Sequence, residues 1–243
     1  HLIHHDLRYP PGSKVLEAGC GVGAQTVTLA QNSPEAQFYA VDWAGKSLEL
    51  ARDTVASQGI TNVEFSEADL FDLPFEAAYF DHLFICHLLE HQVEPISGLT
   101  AIRKHLKPGG TVTVFEGDHG SCYFNPPSED ALMTWNCLIE VQRRLGANSL
   151  IGRELFPLIT DAGFAQVRVE PKMVYIDQSR PELMESFVHK TIIPMVEGVR
   201  EHALEMDFID EPTWHNGISD LHRIRHSEMG IFCYTFFKGR AIR

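Results

Sequence analysis

Val15-Leu16-Glu17-Ala18-Gly19-Cys20-Gly21-Val22-Gly23 is the stretch that decides the fold class. Its apolar residues, interrupted by one acid, read as a buried strand, and the alternating glycines turn the chain sharply at the strand's end. Glycine has no side chain, so backbone there can approach a ligand closely. Ala24 to Gln31 follows with helical composition, so the N–H groups of a helix start face the same place. Strand, glycine turn and helix in this order make a cradle for a nucleotide-like cofactor. Gly19-x-Gly21-x-x-Ala24 also fits the dinucleotide fingerprint G-x-G-x-x-G/A, which is a weak signal by itself. Two features point elsewhere. Glu17, two residues before the first glycine, suits a cationic group better than a pyrophosphate, and the third glycine, Gly23, falls one position early.

Working outward, strands are expected at Lys14–Ala18, Gln37–Val41, Val63–Ala68, Tyr79–Cys86 and Thr111–Phe115. Between them, helices are expected at Gly45–Gln58, where Leu48, Leu50, Ala51 and Val55 recur at near-helical spacing, and at about Pro95–His105. Lys107-Pro108-Gly109-Gly110 is a turn by composition. Strands separated by helical patterns imply parallel βαβ units and a doubly wound α/β sheet. Ligands of such sheets lie beyond the carboxyl ends of the strands, where Glu17, Asp42, Asp69 and His87 all fall.

Further along come a helix at Leu155–Ala162, a strand at Ala165–Met173 and a last strand at Ile231–Phe237. The long connection between those two strands carries helical patterns, among them Leu183, Met184, Phe187, Val188, Val196 and Val199, and a second helical insert spans Pro127–Leu145. The expected organisation is a single domain, 1–243, with a core of about 12–118, 152–176 and 230–243. Helical cap insertions, about 120–148 and 177–229, are read as covering the ligand face, with a dimerisation surface as the alternative.

The formal charge of −13 argues against a general affinity for nucleic acid or anionic membranes, which need clustered Lys and Arg. No apolar run reaches the ~18 residues of a spanning helix. Cys20, Cys86, Cys122, Cys137 and Cys233 are scattered without a C-x-x-C, so a reducing, cytoplasmic setting is expected, with no disulfide framework or zinc ribbon. The chain begins at His1 and not at Met, so an upstream segment is expected.

Taken together, six segments in order resemble the class I S-adenosylmethionine-dependent methyltransferases. They are Val15 to Gly23; Asp42 at the end of the second strand; Ala68-Asp69-Leu70; Phe80-Asp81-His82-Leu83 with Leu88-Leu89-Glu90-His91; Leu106-Lys107-Pro108-Gly109-Gly110; and Ala162-Gly163-Phe164. The resemblance implies a mostly parallel seven-stranded sheet of order 3-2-1-4-5-7-6, its last strand antiparallel. It also implies S-adenosyl-L-methionine as cofactor, with S-adenosyl-L-homocysteine as product. Asp42 then accepts from both ribose hydroxyls, since vicinal hydroxyls can donate to one carboxylate. Trp43 lies on the adenine face, and Ala68, Asp69 and Leu70 meet the adenine edge. Glu17 lies near the methionine ammonium. Gly19, Cys20, Gly21 and Gly23 form the close-approach turn. Gln25 and Thr26 cap the helix or touch the cofactor tail, and the Cys86 and His87 carbonyls face the amine.

Methyl transfer from a sulfonium is an in-line displacement, so the protein mainly aligns the partners and excludes water. A base is required only when the acceptor must lose a proton. His119, in Glu116-Gly117-Asp118-His119-Gly120, is the candidate, with Asp118 to orient it. Tyr123, Trp135, Tyr175 and His189 are candidate walls of a pocket for a small organic acceptor. His87 and His91 have metal-ligand spacing, as do His222 and His226, yet no third ligand follows and no metal is expected. Asn125-Pro126-Pro127-Ser128 is read as a loop. Monomer and homodimer both remain open. The alternatives are a nicotinamide-dependent oxidoreductase, against which the lack of a Tyr-x-x-x-Lys set counts, and a non-catalytic protein of methyltransferase-like fold.

Overall fold

β1 (Lys14–Ala18) is flanked on both sides by parallel neighbours, β2 (Gln37–Asp42) and β4 (Phe80–Cys86), in the computed structural model, which describes residues 4–243. A parallel strand in that position is covered on both faces and must be apolar on both. Val15, Leu16 and Ala18 are accordingly buried, and Glu17 is buried with them. β3 (Val63–Glu67) adds to β2 in parallel, and β5 (Leu106–Asn125) adds to β4. With β6 (Ala165–Ile176) and β7 (Ile231–Ile242) the sheet reads β3-β2-β1-β4-β5-β7-β6, the order expected. β7 runs against β5: Arg243 exchanges backbone hydrogen bonds with Gly109 and Gly110, while Thr235 pairs with Ser121 near the opposite end of the same strand.

The helices of this α/β sheet are α1 (Ala24–Asn32), α2 (Gly45–Ser57), α3 (Pro95–Arg103), α4 (Glu129–Arg144) and α5 (Leu155–Asp161). Two expectations need correction. Residues 107–110 do not separate a helix from a short fifth strand. They are an irregularity inside β5, where the ladder steps from Phe80–Leu106 to His82–Thr111, leaving one residue on β4 opposite four on β5. Asp81 sits at that step, accepting from Lys107 Nζ at 2.6 Å and from the Lys14 N–H at 2.9 Å. Leu89–His91 is a 3₁₀ turn, so His87 and His91 do not share an α-helical face.

The chain divides into two compact units. Among the described residues, the first comprises 4–116, Ile151–Lys172 and Phe237–Arg243, and the second Gly117–Leu150 and Met173–Phe236. In the first, one sheet face buries Leu16, Leu83, Ile85, Val112 and Val114 against Leu99 and Ile102 of α3 and Leu155 and Ile159 of α5. The other face sets Val15, Phe38, Phe84 and Phe115 against Leu29 and Ala30 of α1. Each such aliphatic or aromatic side chain contributes about 1.5–3 kcal/mol by leaving water.

The second unit is helical around its strand segments. α6 (Pro181–Leu183) leads into a π-helical run, Met184–Ile192, and then α7 (Ile193–Glu197), α8 (Arg200–Glu205) and α9 (Glu211–Arg223). Pro194 has no N–H to continue an α-helical ladder, and the irregular turns lie immediately before it. α4 and α9 pack together with Trp135, Leu138, Val141, Trp214 and Leu221 buried. Ser128 and Asp210 cap them, accepting from the Ala131 N–H at 3.1 Å and the Thr213 N–H at 2.8 Å. Ser128 thus ends the Asn125-Pro126-Pro127 segment as a helix cap.

Candidate functional site

A cavity of about 730 Å³ opens in the first unit at the carboxyl ends of β1, β2 and β4. The glycine turn forms one wall. Gly21 has φ +52° and open space where a β-carbon would stand, so its backbone is exposed to a ligand. Gly23 is different: at φ +80° it packs on α2, and a β-carbon there would lie 3.1 Å from Ala51 Cα. The turn is tied to the end of β2, where the Val41 carbonyl accepts from the N–H groups of Gly19 at 2.9 Å and Cys20 at 3.0 Å. Asp42 completes the attachment. Its Oδ2 accepts the Gly21 N–H at 2.8 Å, and its Oδ1 accepts the Ala44 N–H at 3.0 Å.

The opposite wall comes from the end of β3. The Ala68 N–H donates to the Asp42 carbonyl at 3.0 Å, and Asp69 Oδ1 holds its own loop by accepting from the Phe71 N–H at 2.8 Å. Leu70 and Phe71 line the wall, and Trp43 stands on it with 81% of its surface exposed. An open aromatic face beside a cavity is suited to stacking on a planar ring.

At the end of β4, His87 adopts φ +53°, a conformation that costs a non-glycine residue about 1 kcal/mol and is kept where surrounding contacts enforce it. Two contacts do so. The His87 N–H reaches the Phe115 carbonyl at 3.0 Å, and Glu116 Oε1 accepts the N–H groups of Leu88 at 3.0 Å and Leu89 at 2.8 Å.

Two carboxyl groups near this end of the sheet are fully buried. Burial pushes Glu17 up to about 8, only partly opposed by Thr26 of α1. Burial, reinforced by the Glu90 charge, pushes Glu116 up to about 8 as well, against the backbone donors of Leu89 and Leu88. A carboxyl held in that range exchanges its proton near neutrality and responds to any cation brought beside it.

Of the residues expected at a cofactor, Gly19, Gly21, Asp42, Trp43, Ala68, Asp69, Leu70 and His87 line the cavity. Glu17, Cys20, Gly23, Gln25, Thr26 and Cys86 stand outside that lining. Leu88, His91, Gln92, Phe71 and Val41 line it without having been expected, and neither was Glu116 expected to hold the β4 turn. The one sequence signal for Glu116 was an acid closing the apolar run that starts at Val112.

The remaining candidates lie in the second unit. His119 is buried, its Nδ1 2.6 Å from the Tyr234 hydroxyl, and its carbonyl accepts from Trp135 Nε1 at 2.8 Å. Trp135 is buried in the same aromatic cluster. Asp118 Oδ1 accepts the Gly120 N–H at 2.9 Å, holding the turn. Tyr123 and Tyr175 are exposed. His189 faces His222, with Nδ1 atoms 3.4 Å apart, and partial burial lowers its pKa.

A sheet of this order, carrying a glycine turn tied to an acid at the end of β2, defines the Rossmann-like class I methyltransferase fold. Residues 15–110 of the chain match the family model of a methyltransferase domain. The chain is similar to an uncharacterized 37.1 kDa protein in transposon TN4556 of Streptomyces fradiae, with 31% identity over 66% of this chain and 46% of that one. It is also similar to demethylmenaquinone methyltransferase of Clavibacter sepedonicus, with 36% identity over 43% of this chain and 41% of that one. The chain thus spans about half the length of these curated relatives, or less. Among solved structures, phosphoethanolamine N-methyltransferase 2 of Haemonchus contortus, in complex with phosphomonomethylethanolamine and S-adenosylhomocysteine, superposes with a TM-score of 0.60. The alignment covers 100% of this chain and 51% of that one at 17% identity, a likeness of fold alone.

Proposed function

We propose that this protein binds S-adenosyl-L-methionine in the 730 Å³ cavity and transfers its methyl group to a small organic molecule. The observation that carries this reading is Asp42. Its carboxylate borders the cavity and already orders the glycine turn through Gly21, and each oxygen retains lone-pair capacity for a ribose hydroxyl. The cavity volume is of the size that holds a ligand of this class. Bound there, the cofactor supplies a methyl group already activated on a sulfonium.

The chain's own residues divide the work in this reading. Asp42 fixes the ribose and Trp43 covers the adenine, while Asp69 and Leu70 meet the adenine edge. Glu17, which stands outside the cavity lining, is a counter-charge for the ammonium, acting directly or through water. The backbone at Gly19, Gly21 and His87 confines the methionine portion. His119 is the base for an acceptor that must lose a proton, with the Tyr234 hydroxyl 2.6 Å from its Nδ1 holding the ring. Tyr123, Trp135, Tyr175 and His189 are the candidates for contact with the acceptor.

No helix among the described residues is long and apolar enough to cross a membrane, and all five cysteines are free. Both are in keeping with a protein acting in a reducing cytoplasm. Titration calorimetry with S-adenosylmethionine and S-adenosylhomocysteine tests the reading. Micromolar to submillimolar binding of both is expected, and no binding of either at millimolar concentration overturns it.

A further inference from the structure

Glu116 is a fully buried carboxylate whose two oxygens are treated unequally. Oε1 receives the Leu88 and Leu89 N–H groups, whereas Oε2, equally hidden from solvent, has no hydrogen-bond partner. A buried anionic oxygen without a donor or a counter-charge is costly to keep. What faces Glu116 is not a lysine or arginine. It is Glu90, whose side chain is 13% exposed, and the imidazole of His87. Glu90 Oε1 lies 3.7 Å from His87 Nδ1 and 3.6 Å from His91 Nε2. One ligand atom each from His87, Glu90 and Glu116 falls within 4.8 Å of the others.

We propose that His87, Glu90 and Glu116 form a binding site for one divalent transition-metal cation, with Mn²⁺ and Zn²⁺ the best-matched ions and His91 a fourth donor at its open side. Two carboxylates and an imidazole are a mixed oxygen and nitrogen set. Imidazole suits Zn²⁺ and its first-row neighbours and carboxylate suits Mn²⁺, whereas Ca²⁺ and Mg²⁺ take all-oxygen shells. Donors about 2.1 Å from a tetrahedral ion stand about 3.4 Å apart, so the 3.7 Å spacing of Glu90 and His87 needs only a small contraction. The ion neutralises the Glu90–Glu116 pair and gives Glu116 Oε2 its missing partner. The second shell is already built, because Glu116 Oε1 is fixed by two backbone donors. His87 and His91 line the cavity, so the ion's site adjoins the space assigned to the methyl donor.

The site goes beyond the methyl-transfer reading and is tested without it. The chain is stripped with EDTA, dialysed and titrated with Mn²⁺, free ion being read by electron paramagnetic resonance, and with Zn²⁺ by calorimetry. One equivalent of either ion is expected to bind at micromolar to submillimolar concentration. Glu116→Gln, whose amide oxygen still accepts from Leu88 and Leu89, and Glu90→Gln on the more accessible side of the site should each weaken binding at least tenfold. If Glu116→Gln does not fold, Glu90→Gln decides. Failure of the wild-type chain to bind either ion at millimolar concentration overturns the proposal, and so does undiminished binding in the folded variants. S-adenosylhomocysteine titrated into the same samples reports separately on the methyl-donor site.

Discussion

The Asp42 carboxylate, at the end of β2, accepts the Gly21 N–H at 2.8 Å, so the residue assigned to the ribose also holds the turn that receives the rest of the cofactor. Removing the side chain therefore acts twice. Asp42→Ala should weaken S-adenosylhomocysteine binding at least tenfold, about 1.4 kcal/mol or more. Calorimetry on the folded variant checks this, and an unchanged affinity would remove Asp42 from the site.

Gly21 and Gly23 share a left-handed backbone but differ in what surrounds them, and substitution should separate the two roles. Gly23→Ala drives a methyl into the Ala51 backbone 3.1 Å away in addition to straining φ. A loss of about 2–4 kcal/mol is expected in urea denaturation. Gly21→Ala meets open space and should cost only about 1–2 kcal/mol, yet its methyl enters the cavity and should lower cofactor affinity. Equal losses of stability in the two variants would contradict this division.

Glu17 makes stability fall as pH rises. Its folded pKa, about 8, lies above the ordinary value of 4.5, so between those values the folded state holds a proton that the unfolded state has lost. Stabilisation is complete below the unfolded value and is lost as pH rises through the folded one, at up to about 1.4 kcal/mol per pH unit. Glu116 contributes with the same sign. Urea denaturation at pH 5, 7 and 8.5 should show the decline, and Glu17→Gln should shrink it; a flat profile in the wild type would be contrary. The ammonium carried by both cofactor forms favours the ionised form of Glu17, so affinity for S-adenosylhomocysteine should rise with pH over the same window.

In the second unit, the buried bond between His119 Nδ1 and the Tyr234 hydroxyl is 2.6 Å long. Tyr234→Phe leaves the ring in place and takes one partner from a buried imidazole, which should cost about 1–3 kcal/mol in thermal or urea denaturation. His119→Gln should lower kcat and leave S-adenosylhomocysteine affinity intact if His119 is the base. An unchanged kcat with a protic acceptor would confine His119 to a packing role.

Much of the first unit was legible in the chain because its signals are local. The apolar run at Val15 and Leu16, the glycines after it, and the acids closing the second and third strands each specify their element within a few residues. The limits of β5 were not legible, because residues 107–110 carry turn composition while their pairing depends on Asp81 and on the distant Arg243. The environment of His119 was not legible either, since Tyr234 lies 115 residues away.

By itself, the sequence determined the doubly wound α/β class, the glycine cradle and the acids set around it, because strand and helix periodicity and turn chemistry are properties of neighbouring residues. Only the tertiary structure decided what stands opposite His87. The parallel register that pairs Cys86 with Phe115 brings the next residue, Glu116, to the turn at Leu88 and Leu89, where its carboxylate meets Glu90 and His87. Register between distant strands is set by how the whole sheet buries its faces, and no local spacing in the chain encodes it.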